Sequence, residues 1–140
     1  AGVCLEDKVG LKRNSLFGVE VPQFLAETAE FAEKLSAAKQ AQRSDSMMVF
    51  ARLEGLCLDQ PMADTLDRAG AYVEAGADGV LIHSRSRQPT EILTFSRTFR
   101  RDHPSVPIIV VPTTYGHVPH QELADAGVSG VIYANHMMRA

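Results

Sequence analysis

No stretch of this 140-residue chain approaches the roughly 18–20 consecutive apolar residues that a helix needs to cross a bilayer. A charged-then-apolar amino-terminal signal is missing as well, so no membrane partner is expected and the expected location is cytoplasmic. Cysteine is scarce: Cys4 and Cys57 are the two present, with no CxxC pair and no histidine at ligand spacing. That pattern argues against a disulfide or a zinc site, and because both lie in or beside apolar segments they read as buried, reduced thiols. Positive charge is not in excess. Lys and Arg number 14 against 17 Asp and Glu, a net charge of −3, which gives no general attraction to nucleic acid. Arg97, Arg100 and Arg101 fall on one expected helix and read as its solvated face. No GxGxxG or GxxxxGKS/T loop follows any strand candidate, which counts against dinucleotide and P-loop sites.

Apolar residues make up 45% of the chain, and its length suffices for one domain with a core. Short apolar runs rich in β-branched residues, at 2–5, 47–53, 79–82, 107–111 and 130–134, are expected as strands covered on both faces. Helical spacing fills the intervals. Phe24, Thr28, Phe31, Leu35 and Ala38 form one stripe within 22–42, and Met62, Leu66, Ala69 and Val73 another within 62–75. Ile92, Phe95 or Ser96, and Phe99 stripe residues 89–101, and a short helix is expected over 119–126. Gly76 and Gly127 fit left-handed helix stops that lead straight into strands. Alternation of this kind means βαβ units and a parallel sheet, here as a single domain over 1–140. The chain begins with Ala, and its first residues already read as a buried strand, so a piece of a longer protein is expected.

Every expected strand ends on polar residues: Glu6; Arg52 and Glu54; His83 and Ser84; Thr113 and Thr114; Asn135 and His136. In a (β/α)8 barrel such ends converge on one mouth, whereas in an open sheet they spread along an edge. Glu6-Asp7-Lys8 is followed at once by Lys12-Arg13-Asn14-Ser15. A carboxylate at a strand end, several cations and an Asn-Ser pair suit a magnesium-bound, phosphate-bearing acid better than a protein core. His103, His117 and His120 match no such constellation.

LEDKVGLKRNSL (5–16), ARLEG (51–55), RAGAYVEAGADGVLIHSR (68–85), VVPTTYG (110–116) and VIYANHMMRA (131–140) carry a resemblance through nearly the whole chain. They are similar to the phosphoenolpyruvate mutase branch of the isocitrate lyase superfamily, (β/α)8 barrels that act on small α-keto acids with magnesium. The resemblance implies an α/β fold, a partial (β/α)8 TIM barrel with about five of the eight strands and the amino-terminal strands missing. It implies a phosphoenolpyruvate phosphomutase of phosphonate biosynthesis, with phosphonopyruvate hydrolysis as the alternative. Lyases of the superfamily carry a cysteine in the loop, and here Lys12, Arg13, Asn14 and Ser15 stand instead. Asn14 favours the mutase over the hydrolase. Gly10-Leu11 replaces the usual Phe-Pro and predicts a more mobile loop.

Residue by residue, the resemblance implies that Arg52 and His83 bind the phosphoryl and carboxylate groups, with Lys12, Asn14 and Ser15 as a closing lid. Glu6 would hold Mg2+ directly or through water. Asp7 and Lys8 are expected to anchor the loop base. An Arg52–Glu54 ion pair is not expected from adjacency within a strand, and Glu54 is read only as a weak supporting partner. The family's other magnesium ligands lie on strands this chain lacks, so the chain alone is expected to be an inactive barrel fragment. The full-length protein is expected to be a homo-oligomer acting on a small-molecule substrate.

Overall fold

The computed structural model describes residues 1–134. Strands β1 (Gly2–Glu6), β4 (Met48–Leu53), β5 (Gly79–Ile82), β6 (Ile108–Val110) and β7 (Gly130–Val131) form one sheet in that order, with every pairing parallel. Helices α1 (Thr28–Gln40), α2 (Met62–Glu74), α3 (Thr90–Asp102) and α4 (His120–Asp125) occupy the crossovers. Strand order therefore follows chain order, as repeated right-handed βαβ units require.

Strand residues alternate between two environments. Val49, Ala51 and Leu53 of β4, with Val80, Ile82, Ile108 and Val110, are buried in one core with Phe31 and Leu35 of α1, Tyr72 of α2, and Ile92, Phe95 and Phe99 of α3. The opposite face carries Cys4 beside Phe50 and Leu81 beside Ile109, and these four line an open apolar hollow. At the carboxyl end of that inner face the register aligns Glu6 with Arg52 and Arg52 with Leu81, two residues before His83. Phe50 crosses beneath Gly79, where any β-carbon would collide with its ring.

Several expectations change. Residues 22–27 are not helical: Phe24–Leu25 form β3, antiparallel to β2 (Lys8–Val9), and the helix starts at Thr28. Ala26 N–H donates to the Asp7 carbonyl at 2.9 Å, so the chain is tied beside the end of β1 before it turns into α1. Phe24, assigned to the helical stripe, is consequently 66% exposed. The lid sequence continues into a 3-10 helix, Ser15–Glu20. The last strand is shorter than expected, and Asn135 and His136 lie outside the described residues. Cys57 is buried, but Cys4 is exposed because it belongs to the open inner face.

Arg97 and Arg101 are exposed, but Arg100 is not part of a solvated face. Its Nη1 donates to the carbonyls of His103, Pro104 and Val106, and its Nη2 to the Gly127 carbonyl and Ser129 Oγ. The guanidinium thus joins the loop before β6 to the loop before β7. Gly76 and Gly127 do take left-handed conformations, with φ of 103° and 93°, at the ends of α2 and α4.

Candidate active site

Parallel pairing brings the ends of β1, β4 and β5 together, and seven polar side chains meet there. Glu6 Oε1 lies 3.3 Å from Lys8 Nζ, and its Oε2 lies 3.5 Å from Arg52 Nε and pairs with Lys12 Nζ. Arg52 Nε donates to Glu54 Oε1 at 2.6 Å, while Arg52 Nη2 donates to Ser15 Oγ at 3.1 Å and lies 3.1 Å from His83 Nδ1. The Arg52–Glu54 pair corrects the adjacency expectation. Glu54 lies one residue past β4 with φ −106° and ψ 2°, so the chain has left the extended path and its carboxylate reaches back to Arg52.

Of the sequence-derived candidates, Glu6, Lys12, Ser15, Arg52 and His83 are in this cluster. Lys12, Asn14, Ser15, Arg52 and His83 also line a shared cavity of about 200 Å³. Asn14 differs from the rest. Its Oδ1 accepts from the Leu16 N–H at 3.0 Å and caps the 3-10 helix, so its side chain is committed to its own loop.

Two residues prove more central than the sequence reading made them. Lys8 Nζ sits 3.2 Å from Glu54 Oε2 and donates to Ser15 Oγ at 3.2 Å, Gln23 Oε1 at 2.6 Å and the Arg13 carbonyl at 3.3 Å. It links both carboxylates to the loop and to the residue before β3. Glu54 is fully buried. Burial alone would raise its pKa, but the His83 hydrogen bond and the Arg52 guanidinium outweigh burial and hold it well below the usual carboxylate range. The available sequence signal was the alternation Arg52-x-Glu54 at a strand end; what the sequence did not show was the turn that brings the two together.

Asp7 faces the other way. It is fully buried, accepts from the Glu54 N–H at 2.9 Å and the Tyr72 hydroxyl at 3.1 Å, and has Arg68 Nη1 at 3.9 Å. Burial dominates these contacts and pushes its pKa up to about 6. Asp7 anchors the loop base, as expected, by tying the end of β1 to the turn after β4.

Magnesium, implied by the resemblance, prefers hard oxygen donors and keeps several waters. Glu6 fits it: an oxygen donor at the mouth with 14% of its side chain exposed. The group Glu54, Cys57 and His83, whose ligand atoms lie within 4.8 Å of one another, does not fit. It offers sulfur and nitrogen, burial raises the Cys57 pKa, and Glu54 Oε1 is already engaged by Arg52 and His83.

A family model for phosphoenolpyruvate phosphomutase matches residues 1–140. The chain is 49% identical over 141 residues to phosphoenolpyruvate phosphomutase from Streptomyces hygroscopicus, covering all of this chain and 43% of that protein. The crystal structure of phosphoenolpyruvate phosphomutase from Streptomyces platensis subsp. rosaceus superposes with a TM-score of 0.89 at 42% identity, over 99% of this chain and 46% of that one. Phosphonopyruvate hydrolase in complex with oxalate and Mg++ superposes with a TM-score of 0.83 at 34% identity, over 99% and 45%. The chain therefore spans less than half the length of these relatives. Its five parallel strands are consecutive strands of a TIM barrel. With the model matched along its whole length, the chain belongs to the phosphoenolpyruvate phosphomutase family.

Proposed function

We propose that, in the full-length protein, this chain supplies the phosphoryl-handling part of a magnesium-dependent phosphoenolpyruvate mutase that interconverts phosphoenolpyruvate and phosphonopyruvate. The convergence of Arg52, His83 and Ser15 on the cavity that Lys12 and Asn14 also line carries this reading. The reaction breaks a carbon–phosphorus bond and makes an oxygen–phosphorus bond on the same pyruvate, with no atom gained or lost. Phosphoryl transfer has a loose transition state whose charge spreads over the phosphoryl oxygens, so the protein's contribution is positioning and neutralisation.

Arg52 suits the phosphoryl group because its planar fork can donate parallel hydrogen bonds, and His83 adds a ring nitrogen from the neighbouring strand. Ser15 and Lys12 approach from the loop, which would exclude water once closed over the substrate. Mg2+, held by Glu6 directly or through water, would neutralise negative charge on the enolate and carboxylate oxygens. The reading includes a partial barrel domain over 1–140 completed by strands elsewhere in the protein, so that the isolated chain is inactive. It further includes a cytoplasmic homo-oligomer within phosphonate biosynthesis that acts on a small molecule and not on nucleic acid.

Hydrolysis of phosphonopyruvate to pyruvate and phosphate is the second reading, favoured by the structural similarity to phosphonopyruvate hydrolase and by the Gly10-Leu11 loop. Phosphorus NMR of the full-length protein with phosphonopyruvate and Mg2+ separates them. Phosphoenolpyruvate is the expected product. Phosphate alone overturns the mutase reading, and no turnover with Mg2+ present overturns both.

A further inference from the structure

Glu54 occupies an unusual place among the charged groups at the mouth. Its carboxylate is fully buried, and one oxygen, Oε1, serves two neighbouring strands: it accepts from Arg52 Nε at 2.6 Å and faces His83 Nδ1 at 3.1 Å. The other oxygen faces Lys8 Nζ at 3.2 Å. Arg52 Nη2 also lies 3.1 Å from His83 Nδ1, and arginine is always a donor. The ring nitrogen therefore faces a choice. It can carry a proton towards Glu54 or offer a lone pair to Arg52, but not both.

Without a proton on Nδ1 its lone pair would face the Glu54 carboxylate at 3.1 Å with no hydrogen between them, whereas Arg52 Nη2 already has Ser15 Oγ as an acceptor, so the carboxylate is the stronger competitor. With the proton on Nδ1, the ring is turned by its contact to Glu54, and Nε2 is left as an acceptor towards the substrate, where a protonated phosphoryl oxygen or a water can donate to it. The same oxygen holds Arg52 by Nε, leaving Nη2 aimed at Ser15 and the cavity.

We propose that Glu54 is a positioning residue that sets the His83 tautomer and the aim of the Arg52 fork through a single shared oxygen. This rests on the reading that Arg52 and His83 contact phosphonopyruvate. Misplacement of a substrate-binding group by about 1 Å can cost on the order of 100-fold in rate. Glu54→Gln in the full-length protein is therefore expected to lower kcat for phosphonopyruvate by that order while changing KM less. Nitrogen-15 NMR of labelled histidine should show the His83 proton on Nδ1 in the unaltered protein and on Nε2 in Glu54→Gln.

An unchanged proton position in folded Glu54→Gln overturns the proposal, as does a moved proton with unaltered kcat. Should Glu54→Gln fail to fold, Glu54→Asp keeps the charge that Arg52 and Lys8 need but shortens the reach to His83. A fall in its kcat supports the proposal, and an unaltered kcat overturns it. Arg52→Ala and His83→Ala separate the two layers: if both retain full turnover, the substrate-binding reading has failed, and if both lose it, the Glu54 result stands alone.

Discussion

The inner face of the sheet has two regions that are completed in different ways. At its carboxyl end, Glu6, Lys8, Lys12, Ser15, Arg52, Glu54 and His83 satisfy one another, and all come from the first three parallel strands and the segments that follow them. Below them, Cys4, Phe50, Leu81 and Ile109 form an apolar floor that no helix covers among the described residues. Charges can be matched by neighbours close in the fold because each ion pair needs only two or three groups. An apolar surface needs an opposing surface of similar extent, and in a barrel that surface belongs to strands across the interior.

The largest expected effect breaks the charged region. Arg52→Ala in the full-length protein should lower turnover by roughly 10²–10³-fold, the cost of removing a preorganised donor from a transition state. Phosphorus NMR or a coupled assay for phosphoenolpyruvate reads it. Turnover within a few-fold of the unaltered protein would mean that Arg52 serves only as a partner for Glu54.

The apolar region is tested within a single strand. Ile108 is fully buried against the helices, whereas Ile109, one residue on, lines the open hollow. Ile108→Ala should cost the 140-residue chain about 2–5 kcal/mol in urea unfolding. Ile109→Ala should cost clearly less in this chain and approach the same value in the full-length protein. Equal costs in the short chain would show that the floor is already covered.

Two buried carboxylates sharpen the contrast through pH. The Asp7 pKa is raised to about 6, so its protonated form is favoured by folding. Its contribution is fully present below the unfolded-state value of about 3.9 and declines as pH rises to about 6, by on the order of 2–3 kcal/mol. Glu54, with a lowered pKa, contributes stability above the unfolded value that is lost as pH falls below it. Asp7→Asn should flatten the decline between about pH 4 and 6 in urea unfolding series. A decline of unaltered steepness would place its source elsewhere.

The smallest effect concerns the loop. Asn14→Ala removes the cap on the 3-10 helix and should cost about 0.5–2 kcal/mol. In the full-length protein it should also raise the ratio of pyruvate plus phosphate to phosphoenolpyruvate formed from phosphonopyruvate, because a disturbed lid admits water. An unchanged ratio would remove Asn14 from the lid and with it the main sequence ground for preferring mutase to hydrolase.

Most of the fold was legible because parallel strands with apolar residues on both faces leave continuous apolar runs, and because Gly76 and Gly127 mark where two helices stop. The β2–β3 pair was not legible. Each strand has two residues, too few for alternation to declare itself, and Phe24 happened to continue a helical spacing. The site was legible where a polar residue ended a strand, as at Glu6, Arg52 and His83. It was not legible where the decisive fact was a side chain's direction: Asn14 towards its own backbone, Glu54 back along the chain, Asp7 towards Tyr72. Cys4 was misread because an apolar sequence neighbourhood identifies a strand but not whether both of its faces have been covered.

Arg100 shows that successive strand–helix units are not independent pieces. Its side chain, carried on α3, holds five acceptors distributed over the approaches to both β6 and β7. The approaches to the later strands are therefore tied to an earlier helix, and the tie runs in the direction of synthesis. Lysine could not substitute, since an ammonium has three donors at one point and lacks the span of a guanidinium fork. Loss of this single group would leave the pairings of β5 with β6 and of β6 with β7 in place, but the two loops that lead into β6 and β7 would lose the side chain that fastens them to each other and to α3.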